Sequence, residues 1–258
     1  PWNMQEQTGD VSVIPTFRKF ANLRMNLLPY ILSQARECSQ SGLPLMRALP
    51  LEYPTDLIGR QYPYEYLFGE ALLVAPVMEE GVTTWPVYLP EGEWRELWTG
   101  VICQGATVIE MNVPYDRIPV FQKKGSILPL HLDESGKLGS PVGNNTEEFD
   151  YLTLYIYPGE KINSSLLQGS RSAPVSIAVE TREKDKTIEI NLPALSLGVD
   201  LIVFGSEPTS VIVDGTLLPC LDAGMLRGSA PGWQWNALKG EIRLHFPEPP
   251  QATRIIIQ

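Results

Sequence analysis

The sequence predicts a mainly β protein, with an N-terminal helix followed by two antiparallel β-sandwich domains. Three observations lead there. A single helix-period apolar pattern is confined to Pro15 through Gly42. The run Leu67 to Val77, LFGEALLVAPV, is almost unbroken and is closed by Pro76, as expected of a core strand buried on both faces. From Val82 onward, short strand-like segments alternate with Pro- and Gly-rich turns, the pattern of a sandwich or barrel.

In the helical region Val13, Phe17, Phe20, Leu23, Leu27, Ile31, Ala35 and Cys38 recur at helical spacing, and Met25, Leu28 and Leu32 widen the stripe. Pro15 suits a helix start and Gly42 the position just past its end. Pro29 cannot donate a backbone hydrogen bond and crowds the preceding turn, so it is expected to kink or interrupt the helix. Burying a Leu- or Phe-sized side chain is worth about 1.5–3 kcal/mol. A stripe this wide therefore calls for a partner on more than one side, and upstream structure is expected to supply it.

The next segment, Leu43 to Pro54, is Pro-punctuated and extended, and its two charges, Arg47 and Glu52, can pair with each other. Strands are then expected at Thr84 to Leu89, Trp94 to Trp98, Ala106 to Val113 and Val120 to Leu130. Asp133 to Glu148 is polar and aperiodic, the composition of a linker. Beyond it strands are expected at Tyr151 to Tyr157, Val175 to Thr181, Thr187 to Leu192, Leu201 to Phe204, Ser210 to Val213, Gly232 to Ala237, Glu241 to Phe246 and Arg254 to Ile257. The expected divisions are residues 1–41 for the helix, 42–132 for the proximal sandwich and 133–258 for the distal one.

A chain of 258 residues has room for about two domains, each with a sizeable core. Its formal charge of −10 repels polyanions, which argues against nucleic-acid binding through phosphate neutralisation. Cys38, Cys103 and Cys220 are odd in number and widely spaced, so neither a disulfide framework nor a CxxC pair is expected. His131 and His245 lie too far apart for a local ligand motif; no metal and no cofactor is expected. No apolar span is long enough to cross a membrane, and the chain opens at Pro1 without a methionine, so the N-terminus is expected to be missing and the compartment is left unknown.

Candidates for chemistry are few. Asp116-Arg117 invites a catalytic reading, but an aspartate before a strand more often fixes the turn or an ion pair. Glu79-Glu80 are adjacent in a turn and point apart. Trp94 and Trp98 share a face by strand periodicity and either stack on sugars or fill a core, the second being favoured by the area a tryptophan buries. Trp233 and Trp235 pose the same choice, with Gly232 and Gln234 beside them favouring exposure; these two are the candidates for substrate binding. No phosphate loop, GxSxG elbow or Cys/His pairing is present.

Five blocks resemble the C-terminal portion of glycoside hydrolase family 31, the α-glucosidases and α-xylosidases. They are LRMNLLPYILSQARE at Leu23 to Glu37, GLPLMRALPLEYP at Gly42 to Pro54, YLFGEALLVAPVMEEG at Tyr66 to Gly81, VYLPEGEWRELWTG at Val87 to Gly100 and DRIPVFQKKGSILPL at Asp116 to Leu130. Pro1-Trp2 also resembles the family segment just past the last barrel strand. The resemblance implies that the opening helix closes a (β/α)8 catalytic barrel and that the two sandwiches follow it. It further implies a parent enzyme that hydrolyses α-linked glucosides or xylosides with retention, which requires two carboxyl groups about 5 Å apart.

In the family those are aspartates on barrel strands, the nucleophile lying in a Trp-x-Asp-Met-Asn-Glu motif. None of the six tryptophans here has Asp two residues on, so no catalytic residue transfers. Past Leu130 the resemblance is architectural: Tyr157 to Gly159 fits, but Ser164 to Gly169 replaces the acidic run that often follows. The implied partners are the barrel of the same protein and, through it, a carbohydrate substrate. The alternative is a stand-alone carbohydrate-binding module using Trp233 and Trp235.

Overall fold

The computed structural model describes residues 3–182, 186–221 and 231–258; Pro1-Trp2 lies outside them. The chain opens with α1 (Met4–Thr8), α2 (Val13–Asn26) and α3 (Leu28–Ser41). The expected long helix is thus interrupted, with Leu27 between its halves and Pro29 in the first turn of α3, where its missing N–H costs nothing. Gly42 ends α3 at φ 77°, its N–H bonded to the Cys38 carbonyl. Neither α1 nor the short α4 (Leu49–Glu52) is foreshadowed by an apolar period.

The first half contains β1 (Met46–Ala48), β2 (Tyr66–Phe68), β3 (Leu72–Val74), β4 (Thr84–Leu89), β5 (Glu93–Glu96), β6 (Ile102–Gln104), β7 (Thr107–Asn112), β8 (Val120–Lys123) and β9 (Ser126–Leu130). The second contains β10 (Tyr151–Tyr157), β11 (Lys161–Leu166), β12 (Val175–Arg182), β13 (Thr187–Leu192), β14 (Gly198–Phe204), β15 (Val211–Val213), β16 (Thr216–Leu217), β17 (Gly232–Asn236), β18 (Glu241–Phe246) and β19 (Thr253–Ile257). A sheet in the order β1-β2-β3-β8-β5-β6 is covered by the β4-β7 ribbon, and the sheet β17-β18-β14-β10-β9 faces the sheet β11-β12-β13-β19-β15-β16.

Three expectations change. The run Leu67 to Val77 is a hairpin, not one strand. Gly69 turns it at φ 63°, and a Cβ there would collide with the Tyr30 hydroxyl, so helix packing and turn both demand glycine. Val120 to Leu130 is likewise broken, at Gly125 with φ 77°, and its second half pairs with β10 instead of continuing the first sheet. Finally, β10 and β14 run parallel, because the strands between them belong to the facing sheet.

Three cores result. Leu73, Leu89, Trp94 and Phe121 lie between the first sheet and the β4-β7 ribbon. Leu154, Ile177, Ile190, Leu201 and Leu244 lie between the two distal sheets. A third joins the sandwiches to the helices through Tyr30, Leu72, Leu128, Leu130, Tyr155 and Phe204. Alternation along β9 sends Ile127 into the distal core and Leu128 and Leu130 into the joining layer, so that strand rivets the two halves together.

Candidate functional site

The helices are covered unevenly. Tyr30 of α3 is buried, donates to the Phe68 carbonyl at 2.6 Å and accepts from the Ala71 N–H at 2.9 Å. On α2, residues 13, 16, 20, 23 and 27 turn toward the body, while 14, 17, 18, 21 and 24 face outward. One flank of α2 is fixed by polar clamps. Lys19 Nζ meets Asp116 Oδ2 at 2.7 Å, Asn22 donates to the Gly139 carbonyl, and buried Asn26 bonds the loop at His131, Gly139 and Ser140. The outer flank leaves Ile14 38% and Phe17 49% exposed, with Met4 and Val11 also bare nearby in the sequence. Single exposed apolar residues are ordinary; Ile14 and Phe17, one turn apart on α2, make a candidate contact face.

The proposed pairings and platforms resolve as follows. Asp116 is the partner of Lys19, whose ammonium holds its carboxyl below the ordinary aspartate range, and the Arg117 N–H closes a turn on Pro114. Arg47 is buried and bonds Glu52 at 2.6 Å. Glu79 and Glu80 are exposed. Trp94 is fully buried, whereas Trp98 lies past the end of β5, half-buried, donating to the Ile118 carbonyl beneath the Lys19 ammonium. Trp233 departs from the expected exposure: it is 8% exposed, sits in the distal core and donates to the Leu218 carbonyl at 3.1 Å. Trp235, two residues on and therefore on the same face, packs partly buried against that core.

Each histidine has a carboxylate partner the sequence spacing did not suggest. His131 Nε2 lies 2.7 Å from Asp150 Oδ1, and His245 Nδ1 lies 2.7 Å from Asp200 Oδ1, with the Tyr151 hydroxyl also on Asp200. Strand register aligns Thr153, Asp200 and His245 in one row across three strands. Both pairs line a cavity of about 660 Å³. It offers hydrogen bonds to a polar ligand, and no group of three metal-ligating His, Cys, Asp or Glu side chains occurs among the described residues.

A second titratable group stands at Glu65, which is 4% exposed. Its Oε1 accepts from the Tyr88 N–H at 2.9 Å, while Oε2 has no partner among the described residues, and burial pushes the carboxyl up to about 7. Because the folded state holds this proton more tightly than the unfolded chain, the stabilisation is complete below the unfolded value and lost as pH rises through about 7. Glu65→Gln is therefore expected to raise the free energy of unfolding at pH 8 by about 1–3 kcal/mol, the cost of an unmet buried polar group, and to change it little at pH 4. Equal shifts at both pH values would contradict this.

Comparison with known proteins matches residues 42–128 to the glycosyl hydrolase family 31 C-terminal domain. The isomaltosyltransferase of Sporosarcina globispora is 36% identical over 248 residues, covering 93% of this chain and 22% of that protein. The α-xylosidase of Saccharolobus solfataricus is 33% identical over 161 residues, 62% of this chain and 20% of that protein. Among solved structures, the cycloalternan-forming enzyme from Listeria monocytogenes in complex with pentasaccharide substrate superposes over 100% of this chain and 25% of its own, with a TM-score of 0.94 and 33% identity. A Flavobacterium johnsoniae family 31 dextranase covers 92% of this chain and 32% of its own, with a TM-score of 0.79 and 28% identity. The chain thus spans about a quarter of the similar enzymes, in which the matched segment is part of a single longer polypeptide.

Proposed function

The chain belongs to glycosyl hydrolase family 31, with its C-terminal domain at residues 42–128, and from that premise we propose that it is the non-catalytic C-terminal part of a retaining enzyme acting on α-linked glucosides. Its helices brace the catalytic (β/α)8 barrel of the same protein through the outer face of α2, and the two sandwiches hold those helices in place. The half-bare Phe17 supports this reading: polar clamps hold one flank of α2 to the body, while on the other flank Ile14 and Phe17 remain exposed among the described residues. No residue here takes a catalytic role; the two carboxyl groups, about 5 Å apart in a retaining enzyme, come from the barrel.

The similarity to the isomaltosyltransferase, over 248 residues, favours α-glucans carrying isomaltosyl units over xylosides as substrate. The burial of Trp233 disfavours the stand-alone carbohydrate-binding alternative.

Docking is tested by producing the barrel and this chain as separate polypeptides and measuring their association. Ile14→Asp/Phe17→Asp removes two apolar contacts of about 1.5–3 kcal/mol each and is expected to weaken the complex about 100-fold or more. Leu217→Asp, on the exposed edge strand β16 of the distal sandwich, is expected to leave it unchanged. Equal affinity for all three forms would refute the proposed face.

A further inference from the structure

We propose that the cavity between α2, the turn after β5 and the loops at 117, 136–138 and 239 binds a doubly charged tetrahedral oxyanion, either inorganic phosphate or a phosphate monoester. The proposal stands independently of barrel docking. The cavity, of about 260 Å³, is lined by Lys19, Arg95, Arg117, Lys137 and Lys239, with Glu241 as its only carboxylate among the described residues. Five of the chain's 20 basic residues therefore meet at one point of a protein with net charge −10. Allowing for the Lys19–Asp116 pair, three positive charges remain in excess there.

The floor of the cavity is built from groups that are buried yet sparsely bonded. Arg95 is 4% exposed, with its guanidinium carbon 3.6 Å from the Phe204 ring centroid, and makes a single hydrogen bond among the described residues, to Glu241 Oε1 at 3.3 Å. Glu241 is shared, because its other oxygen accepts from Arg243 at 3.0 Å. A guanidinium has five N–H donors, so most of those on Arg95 make no hydrogen bond to the described residues. Tyr155 is 7% exposed and also lines the cavity, and its hydroxyl has no hydrogen bond among the described residues. Gly100 at φ 79° leaves the guanidinium its space: a Cβ there would stand 2.7 Å from an Arg95 terminal nitrogen.

At the mouth, Arg117, Lys137 and Lys239 are exposed and form no ion pair among the described residues. A buried planar fork beneath a ring of cations suits an oxyanion that accepts several charge-assisted hydrogen bonds at once. A neutral sugar would leave those charges unanswered, and a monoanion would answer fewer of them.

The experiment is isothermal titration of the 258-residue chain with inorganic phosphate, and separately with glucose 6-phosphate, at ionic strength held constant with chloride. Saturable binding at one site is expected. Lys137→Glu/Lys239→Glu, which alters only exposed side chains, is expected to weaken it by about tenfold or more. Tyr155→Phe is expected to weaken it severalfold without lowering the melting temperature. Tighter binding of the hexose phosphate identifies an ester as occupant, and tighter binding of phosphate identifies the free ion; either supports the site. Absence of binding, or affinity unchanged in Lys137→Glu/Lys239→Glu, overturns it.

Discussion

Replacing Asn26 by alanine is expected to lower the free energy of unfolding by about 2–5 kcal/mol, since an unmet buried polar group costs about 1–3 kcal/mol and this change removes the partner of one buried and two part-buried backbone groups. Asn26 is fully buried at the end of α2. Its Nδ2 donates to the carbonyls of His131 at 2.9 Å and Ser140 at 3.1 Å, and its Oδ1 accepts from the Gly139 N–H at 2.7 Å. One side chain thus satisfies backbone groups on the irregular segment between the sandwiches. The bond to His131 is buried, whereas those to Gly139 and Ser140 are part-buried. Asn26→Asp keeps the acceptor for Gly139 but sets a carboxylate against two carbonyl oxygens, so it is expected to be nearly as harmful at pH 7 and milder in acid, where the group is protonated and regains a donor. Denaturant unfolding measures both; a loss below about 1 kcal/mol for Asn26→Ala would mean that the loop re-forms its bonds elsewhere.

Trp94→Ala is expected to destabilise the proximal sandwich by about 3–5 kcal/mol, the usual cost of emptying an aromatic core site. The side chain has no exposed surface, packs with Leu73, Leu89 and Phe121, and donates its indole N–H to the Pro90 carbonyl at 2.8 Å. Trp94→Phe retains most of the apolar contact but orphans that carbonyl, so an intermediate loss is expected. A sugar platform would behave oppositely, losing ligand while keeping stability. The denaturant midpoints of the two variants separate these cases.

Local chemistry announced some of this structure plainly. Pro29 and Gly42 mark the break and the end of the helices because a missing N–H and a left-handed cap are backbone matters, visible one residue at a time. The strands Thr84–Leu89, Tyr151–Tyr157 and Thr187–Leu192 follow from alternation between turns. Gly69 and Gly125 were harder to read. Each sits in an apolar run and looks like a small strand residue, and only the approach of Tyr30 or the change of sheet shows it to be a turn.

The strand Lys161–Leu166 was missed because it is an edge strand carrying Asn163, Ser164 and Ser165, with only Ile162 and Leu166 buried. Trp233 misled for a different reason: its neighbours Gly232 and Gln234 suggested a wet strand, but alternation places both tryptophans on the inner face. The basic cavity was out of reach of any linear pattern, since Lys19 and Lys239 meet only after both sandwiches and the helix have packed.

The exposed Ile14 and Phe17 of α2, the five sequence blocks and the family match support the proposal that this chain braces a catalytic barrel and carries no reaction chemistry of its own. Turnover of p-nitrophenyl α-glucoside by the purified 258-residue chain tests this most directly. Release of nitrophenol should not rise above the buffer rate at any chain concentration. A rate that increases in proportion to the chain, and persists through repeated purification, would contradict it.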